Sequence, residues 1–416
     1  MRLLRPLLLC SLTLPLASAF ATPGDPAVLK NDPTIKAAFE AIRRNEPAMI
    51  DLQARLCAIP APPFKEQVRA AELKKLFEQY GLKDVFIDKI GNVVGTRPGA
   101  KARPNVLIEA HLDTVFPEGT DVTVKREGPV LKAPGIGDDT RGLAALLATL
   151  RGLQDAKVQT PGTITFVANV GEEGQGDLRG TKMLLNETLK DQVDYFLSID
   201  GSDPAQIVFH GVGSYRYHVT FKGPGGHSYG AFGLVNPIHA LGRAIAKIDA
   251  IQVPVNPKTT FNVGVIGGGT SVNSIPFEGW FDVDMRSPDA KSLENTKEKI
   301  LAAIKEAGVE ENDRWKHNGE VTADVKLTGY RPVGETPPES PIVVAAQAAV
   351  RAIGMRPLLT ACSTDSNYPM SLGIPAVTIG GGGVAKDAHA LTESFDSTDS
   401  WKGPQYALLL VVALAQ

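Results

Sequence analysis

The amino-acid sequence predicts an α/β protein in which a mixed sheet, flanked by helices, carries an inserted α+β domain. Two observations support this fold class. Short apolar runs typical of buried strands alternate with helical stretches over the first half of the 416-residue chain, as in sheets that are covered by helices. From about residue 213 the predicted order becomes strand, helix, strand, strand, helix, strand, which is the ferredoxin-like arrangement.

The first 21 residues have the pattern of a cleaved secretory signal. Two arginines precede an apolar stretch from Leu7 to Leu16, and the small residues Ala17-Ser18-Ala19 follow it. The apolar stretch is well short of the roughly 20 residues that span a bilayer. We therefore predict that residues 1–21 are a signal peptide and that the mature protein is exported, either to the periplasm or out of the cell.

The mature chain is predicted to open with two helices. Apolar residues recur at helical spacing from about Ile35 to Leu82, and the breaker run Pro60-Ala61-Pro62-Pro63 divides them. Further along, apolar runs predict strands at Asn105–Ala110, Thr163–Ala168 and Tyr195–Ile199, with a helix at Arg141–Leu153.

The inserted domain is predicted at residues 213–328. Its elements are expected at Tyr215–Phe221, Pro237–Ala250, Thr260–Ile266, Gly279–Arg286, Ala290–Ala307 and Val321–Leu327. After it come a helix at Pro341–Ile353, a strand at Ala376–Ile379 and a last helix that includes the apolar run Ala407–Ala415. Residues 22–212 and 329–416 are thus predicted to form one discontinuous domain.

Composition and charge are those of an ordinary globular protein. Hydrophobic residues make up 43% of the chain, charged residues 21%, and the formal net charge is −3. This balance provides no basic field for nucleic acid or for an anionic membrane, so neither is expected as a partner.

Two cysteines remain after signal cleavage. Cys57 and Cys362 fit neither a metal-binding CxxC pattern nor a disulfide-dense scaffold. Two buried thiols are expected, with a disulfide as the alternative that an oxidising compartment permits.

Candidate ligands stand just past the ends of the predicted strands, where the ligands of open α/β sheets gather. His111 and Asp113 follow the strand Asn105–Ala110, and residues two apart in an extended segment face the same side. One of them can bind a metal ion while the other orients it. Alone the pair is weak evidence, because a histidine after a strand is often structural.

Adjacent acids occur at two further places. Asp138 and Asp139 stand at the start of a predicted helix, where an aspartate can serve simply as an N-cap. Glu172 and Glu173 follow the strand Thr163–Ala168 between glycines. Neighbouring carboxylates repel each other unless a cation lies between them or one is protonated. A metal ion held by one and a water held by the other would resolve this conflict.

Two more candidates complete a mixed ligand set. Asp200 ends the strand Tyr195–Ile199, and His389 lies in Asp387-Ala388-His389-Ala390, after a run of glycines. Two imidazoles with three or four carboxylates suit zinc, and the ligand type also admits manganese or cobalt. The sequence therefore predicts a metal site at the ends of the strands.

Through these residues the chain resembles the dizinc peptidases and deacylases that include carboxypeptidase G (glutamate carboxypeptidase), peptidase T, aminoacylase and acetylornithine deacetylase. The resemblance covers nearly all of the mature chain and implies a zinc-exopeptidase-like fold with an inserted dimerisation or lid domain. The motifs occur in that family's order: His-Leu-Asp-Thr-Val (111–115), Gly-Ile-Gly-Asp-Asp-Thr-Arg-Gly (135–142), Gly-Glu-Glu-Gly (171–174), Ile-Asp-Gly (199–201), Gly-Pro-Gly-Gly-His-Ser (223–228) and Ala-His-Ala (388–390).

The resemblance implies a ligand set for two Zn²⁺ ions per subunit, with Co²⁺ or Mn²⁺ as substitutes. Asp138 would bridge the two ions. His111 and Asp200 would complete one site, and Glu173 and His389 the other.

The resemblance also implies catalytic and substrate-binding roles. Asp113 would orient the neighbouring histidine, Glu172 would be the general base, and a cis peptide bond would follow the bridging aspartate. His227 would reach the active site of a partner subunit and stabilise the oxyanion, so a homodimer is expected. Asn273 and Arg286 would hold the polar groups and the carboxylate of the substrate, for which an arginine fork is suited.

The implied activity is metal-assisted hydrolysis of amide bonds in small peptides. The ligand at position 200 is commonly aspartate in aminopeptidase-type members, which favours di- or tripeptides, although the chain also resembles carboxypeptidase-like exopeptidases. Deacylation of N-acyl-amino acids is the alternative. From another class, a non-catalytic binding protein on this fold would lack a ligand or the base, and neither is missing.

Overall fold

The computed structural model describes residues 23–416. The predicted signal peptide, residues 1–21, lies outside these described residues. Over residues 23–416 the helices are α1 (Pro26–Leu29), α2 (Pro33–Cys57), α3 (Gln67–Gln79), α4 (Thr140–Asp155), α5 (Arg179–Met183), α6 (Pro237–Asp249), α7 (Ala290–Arg314), α8 (Pro341–Ala352), α9 (Asn367–Ser371) and α10 (Lys402–Leu414). None of these helices is both long and apolar enough to cross a membrane.

The main sheet is mixed and has nine strands. They are β1 (Lys83–Ile87), β2 (Val93–Arg97), β3 (Asn105–His111), β6 (Thr163–Asn169), β7 (Tyr195–Ile199), β8 (Gln206–Gly211), β15 (Gly334–Glu335), β16 (Leu358–Cys362) and β17 (Ala376–Ile379). Their order is β1-β2-β6-β3-β7-β17-β8-β15, and β16 pairs with β8 beside this path. The central strands β6, β3, β7 and β17 are parallel, so their carboxyl ends meet at one edge.

Helices bury this sheet. Helix α4 packs on β3, and α2 and α10 pack on α4. Leu146 of α4 and Leu409 of α10 lie in one buried apolar cluster with Ile108 of β3. Helix α10 is buried from Gly403 to Leu414. The C-terminal apolar run is therefore a core helix, as predicted.

A second, four-stranded antiparallel sheet has its own core. It consists of β9 (Gly213–Lys222), β11 (Thr260–Gly268), β13 (Glu278–Ser287) and β14 (Thr322–Arg331), in the order β11-β13-β9-β14. Helices α6 and α7 cover one face, where Phe221 and Phe281 pack against Leu241 and Ile304. This order of strands and helices is the predicted ferredoxin-like unit. Its predicted limits, 213–328, stay a prediction.

Two smaller sheets were not predicted. One contains β4 (Lys125–Glu127), β5 (Val130–Lys132), β18 (Val384–Lys386) and β19 (Ser394–Asp396), and the other pairs β10 (Gly226–His227) with β12 (Ser274–Ile275). Strands of two or three residues are too short to give an apolar pattern. They matter because β18 precedes the segment of His389 and β10 contains His227.

The prediction of two buried thiols is correct for Cys57 and wrong for Cys362. Both thiols are free, but Cys57 is buried and Cys362 is exposed. Cys362 ends β16, which pairs only with β8 among the described strands, so one side of this strand stays open.

Candidate metal centre

Five side chains meet at the edge of the main sheet where the parallel strands end. His111, Asp138 and Asp200 present ligand atoms within 4.8 Å of one another, and so do Asp138, Glu173 and His389. The two groups share Asp138. The structure thus brings together every residue that the sequence predicted as a metal ligand.

Both ring nitrogens of His111 have partners. Nε2 lies 3.1 Å from Oδ1 of Asp138, and Nδ1 lies 3.0 Å from the backbone carbonyl oxygen of Asp113. The Asp113 carboxylate is farther away, 3.7 Å from Nδ1. Because Nδ1 donates to the carbonyl oxygen, Nε2 is the nitrogen that would present its lone pair to a metal ion.

The Asp113 carboxylate fixes the turn that carries the two adjacent glutamates. It accepts from the backbone N–H groups of Gly171, Glu172 and Glu173, at 2.8, 3.2 and 2.8 Å. Burial would raise the pKa of Asp113, but His111 and the backbone N–H of Glu173 outweigh burial and lower the pKa below its usual value. Asp113 therefore positions the glutamates as an ionised acceptor.

Glu393 fixes the loop that presents Asp138. Its carboxylate is fully buried and accepts from the backbone N–H groups of Gly135, Gly137 and Asp138, at 2.7, 2.8 and 2.9 Å. The peptide bond between Asp138 and Asp139 is cis, as predicted. Asp139 caps α4 by accepting from the N–H of Gly142 at 3.0 Å, and its other carboxylate oxygen accepts from the backbone N–H of His111 at 3.3 Å.

His389 closes the other side of the cluster. Its Nε2 lies 2.9 Å from Oε1 of Glu173 and 3.1 Å from Oδ2 of Asp138. Hydrogen bonds to Asp138 and Glu173 raise the pKa of His389 to about 10. Its side chain is about half exposed, at 53%, so this face of the cluster is open to solvent.

The donor set fits a pair of divalent cations. Burial and the charge of Asp138 raise the pKa of Asp200 well above its usual value. Burial, with the charges of Glu172 and Asp138, raises the pKa of Glu173 to about 7. Carboxyl groups crowded in a buried site oppose each other's ionisation unless positive charge lies between them. Imidazole nitrogens with carboxylate oxygens are ligands that zinc accepts.

Glu172 stands beside this cluster in a buried ion pair. One of its carboxylate oxygens lies within 4.8 Å of the ligand atoms of His111 and Glu173. Its Oε1 accepts from Nη1 of Arg331 at 2.7 Å, and both side chains are nearly buried. Arg331 also donates to the backbone carbonyl oxygen of Glu172, so the guanidinium fixes this carboxylate in place.

Sequence reasoning missed Glu393 and Arg331. Each is a buried charged residue whose partner lies far away in the sequence, as 255 residues separate Glu393 from Asp138. A pattern read along the chain gives no signal of such pairs.

His227, Asn273 and Arg286 lie outside the cluster, in the second unit. His227 and Asn273 are exposed, and the backbone N–H of Ser228 donates to the Asn273 carbonyl oxygen at 3.0 Å. Arg286 is partly exposed and donates from Nε to Asp284 at 2.9 Å. No described hydrogen bond or ion pair joins these three side chains to the metal ligands.

Comparison with known sequences gives a family and several relatives. Residues 107–412 match Peptidase family M20/M25/M40. The chain is 25% identical over 352 residues to YqjE of Bacillus subtilis, a protein of uncharacterised function, covering 80% of this chain and 90% of YqjE. It is 27% identical over 285 residues to carboxypeptidase G2 of Pseudomonas sp., covering 65% and 66% of the two chains. Over 262 residues it is 24% identical to succinyl-diaminopimelate desuccinylase of Corynebacterium glutamicum, covering 61% and 70%.

Comparison with solved structures supports the mixed α/β fold described above. Aminopeptidase PepT of Bacillus cereus superposes with a TM-score of 0.70 at 22% identity, covering 89% of this chain and 99% of PepT. YXEP of Bacillus subtilis, described as a dinuclear metal-binding peptidase, superposes with a TM-score of 0.64 at 17% identity, covering 89% and 98%.

Proposed function

Because the chain belongs to Peptidase family M20/M25/M40 and is thus a metal-dependent hydrolase of peptide or amide bonds, we propose that it is an exported dizinc exopeptidase of small peptides. The observation that carries this proposal is the pair of three-residue ligand groups that share Asp138. A buried carboxylate base, Glu172, stands within reach of the same groups. Such a combination suits hydrolysis by an activated water.

The ligands divide between two ions in this proposal. Asp138 would bridge them, His111 and Asp200 would complete one site, and Glu173 and His389 would complete the other, in line with the two groups of nearby ligand atoms. Two bound divalent ions would polarise the scissile carbonyl group and lower the pKa of the attacking water. The mixed nitrogen and oxygen donors favour zinc, and Co²⁺ or Mn²⁺ would substitute.

Glu172 is the general base in this proposal. Arg331 occupies Oε1 of its carboxylate, so the second oxygen is the one available to accept a proton from the attacking water. The same oxygen can then deliver that proton to the leaving amine. Asp113 supports this step because its carboxylate fixes the backbone of the turn on which Glu172 stands.

We also propose a homodimer in which His227 serves the partner subunit. Its Nδ1 accepts from the backbone N–H groups of Tyr229 and Gly230, both at 3.2 Å, so Nε2 carries the proton and can donate to an oxyanion. Large apolar side chains beside it are exposed, with Tyr229 at 89% and Phe232 at 79%. Such exposure is typical of a surface that another subunit covers. Asn273 and Arg286 would bind the substrate from the same unit.

Export is proposed from residues 1–21 alone, since they have the signal pattern. Amino-terminal sequencing of the protein recovered from a periplasmic or culture fraction would test it. A mature chain that begins close after Ala19 or Ala21 supports export, and an intact Met1 in a cytoplasmic fraction contradicts it.

A substrate panel tests the enzymatic proposal. The zinc-loaded mature protein should cleave free di- or tripeptides, and a chelator should abolish this activity. Deacylation is the second candidate, because a succinyl-diaminopimelate desuccinylase is among the relatives. Turnover of N-acyl-amino acids without turnover of free peptides would establish the second candidate, and no turnover of either class would contradict both.

A further inference from the structure

We propose that the rings of His218 and Trp280, here called the aromatic platform, bind an aromatic side chain of a peptide substrate at a position distal to the cleaved bond. This inference rests on the proposed peptidase function and adds a substrate preference to it. The two ring centroids are 5.2 Å apart with an interplanar angle of 36°. Partly exposed rings in this arrangement offer a π-surface on which another ring can stack.

The aromatic platform lies on the face of the second sheet that the helices leave open. Side chains alternate along a strand, and the neighbours Tyr217 and Val219 point into the core beneath the helices. His218 therefore points the other way, together with Arg216 two residues before it. On the neighbouring strand, Asp282 pairs with His218 and Trp280 pairs with Thr220. Residues that pair directly lie on the same face of a sheet, so Trp280 lies on the face of His218.

One residue of this open face contacts the loop that carries a candidate metal ligand. Arg216 donates from Nη1 to the backbone carbonyl oxygen of Gly174, the residue directly after the candidate ligand Glu173. His218 stands two residues farther along the strand, about 7 Å beyond Arg216 at the usual rise per residue. An extended peptide covers the same distance with about two residues. A peptide that passes Arg216 along this face would therefore reach the platform about two residues later.

Both rings are fixed before any ligand binds. The Asp282 carboxylate accepts from Nδ1 of His218 at 2.7 Å. Trp280 lies over Gly267, where a Cβ atom would come within 2.5 Å of the indole. The side chains of His218 and Asp282 are still 36% and 43% exposed. A surface that is rigid but open binds a flat group without the entropic cost of ordering itself.

Kinetics on matched peptides test the inference. The substrates are Ala-Ala, Ala-Ala-Ala, and tripeptides with phenylalanine at either end. For one phenylalanine tripeptide, Trp280→Ala should raise KM roughly three- to tenfold, the range expected for one aromatic contact. The KM for Ala-Ala should not change. His218→Ala should also raise this KM. His317 is an exposed histidine away from this face, so His317→Ala should leave KM unchanged.

A binding measurement separates this inference from the peptidase proposal. Calorimetric titration of the chelator-treated protein with the phenylalanine tripeptides needs no turnover. Weaker binding by Trp280→Ala than by the unmodified protein supports the platform even if no peptide is cleaved. The inference is overturned if Trp280→Ala changes the affinity for alanine and phenylalanine tripeptides equally, or changes neither affinity. A change in subunit assembly instead of affinity would also overturn it.

Discussion

The guanidinium of Arg331 lies 2.7 Å from Oε1 of Glu172, and the two side chains are only 4% and 7% exposed. Arg331 belongs to the last strand of the second sheet, whereas Glu172 follows a strand of the main sheet. The proposed base is therefore oriented by the residue at which the second sheet ends. Any movement of this strand end against the main sheet would change the position of the base.

Replacing Arg331 should reduce turnover without removing metal. Arg331→Met leaves a buried carboxylate without its cation, which costs about 3–5 kcal/mol of stability, and we expect kcat to fall at least tenfold. Arg331→Lys should recover part of the loss because it keeps the charge. Steady-state kinetics, urea unfolding and metal analysis measure the three effects. The control is Arg103→Met, because the Arg103 side chain is 56% exposed in its ion pair with Asp194. Unchanged kcat in Arg331→Met would refute the positioning role.

Replacing Glu393 should release the loop of Asp138. Glu393→Ala removes the acceptor of three backbone N–H groups, and each buried donor left unsatisfied costs about 1–3 kcal/mol. We expect weaker metal binding and lower stability. Glu393→Gln keeps one oxygen acceptor, so its metal affinity and stability should lie between those of the unmodified protein and those of Glu393→Ala. Metal content after dialysis decides the matter, since full retention of metal by Glu393→Ala would contradict this account.

Metal affinity should rise with pH. The pKa of His389 is raised to about 10 in the metal-free protein, so the ring is protonated at neutral pH and must lose that proton to bind a metal ion. Affinity should therefore increase roughly tenfold per pH unit for each proton released, up to that pKa. Calorimetry in buffers of different ionisation enthalpy counts the protons. Binding at neutral pH that releases no proton would contradict the protonated state of His389.

Mixing two inactive variants tests the shared site of the proposed homodimer. Glu172→Gln and His227→Ala each disable a different half of one active site. In an equimolar mixture that exchanges subunits, half of the dimers are hybrids with one competent site, so about a quarter of full activity should return. If the mixture stays inactive although sedimentation shows hybrid dimers, His227 does not act in the partner subunit.

The sequence predicted three of the five metal ligands from the long, apolar strands that they end or follow. His111 ends β3, Asp200 comes directly after β7 and Glu173 stands four residues past β6. These strands are almost wholly buried and have a strong apolar signal. Parallel strands bring their carboxyl ends to one edge. The order of the elements therefore fixed which polar residues meet.

Tertiary contacts explain where sequence reasoning fell short. Helix α7 was expected to end at Ala307 before Gly308, a residue that often terminates helices, but it continues to Arg314. Glu311 is fully buried on this extra turn and accepts from the backbone N–H of Asn236 and from the Trp315 indole, both at 2.9 Å. The contact with Asn236, the N-cap of α6, comes from packing against another helix, and local propensity does not contain it.

The most direct test of the proposed chemistry is the activity and metal content of Glu172→Gln. Glutamine has nearly the same shape and can still accept from Arg331, but it cannot take a proton from water. We predict that this variant keeps two Zn²⁺ ions per subunit and loses peptide hydrolysis by a factor of at least about a hundred. Turnover close to that of the unmodified protein, with the metal content unchanged, would show that Glu172 is not the base and would contradict the mechanism.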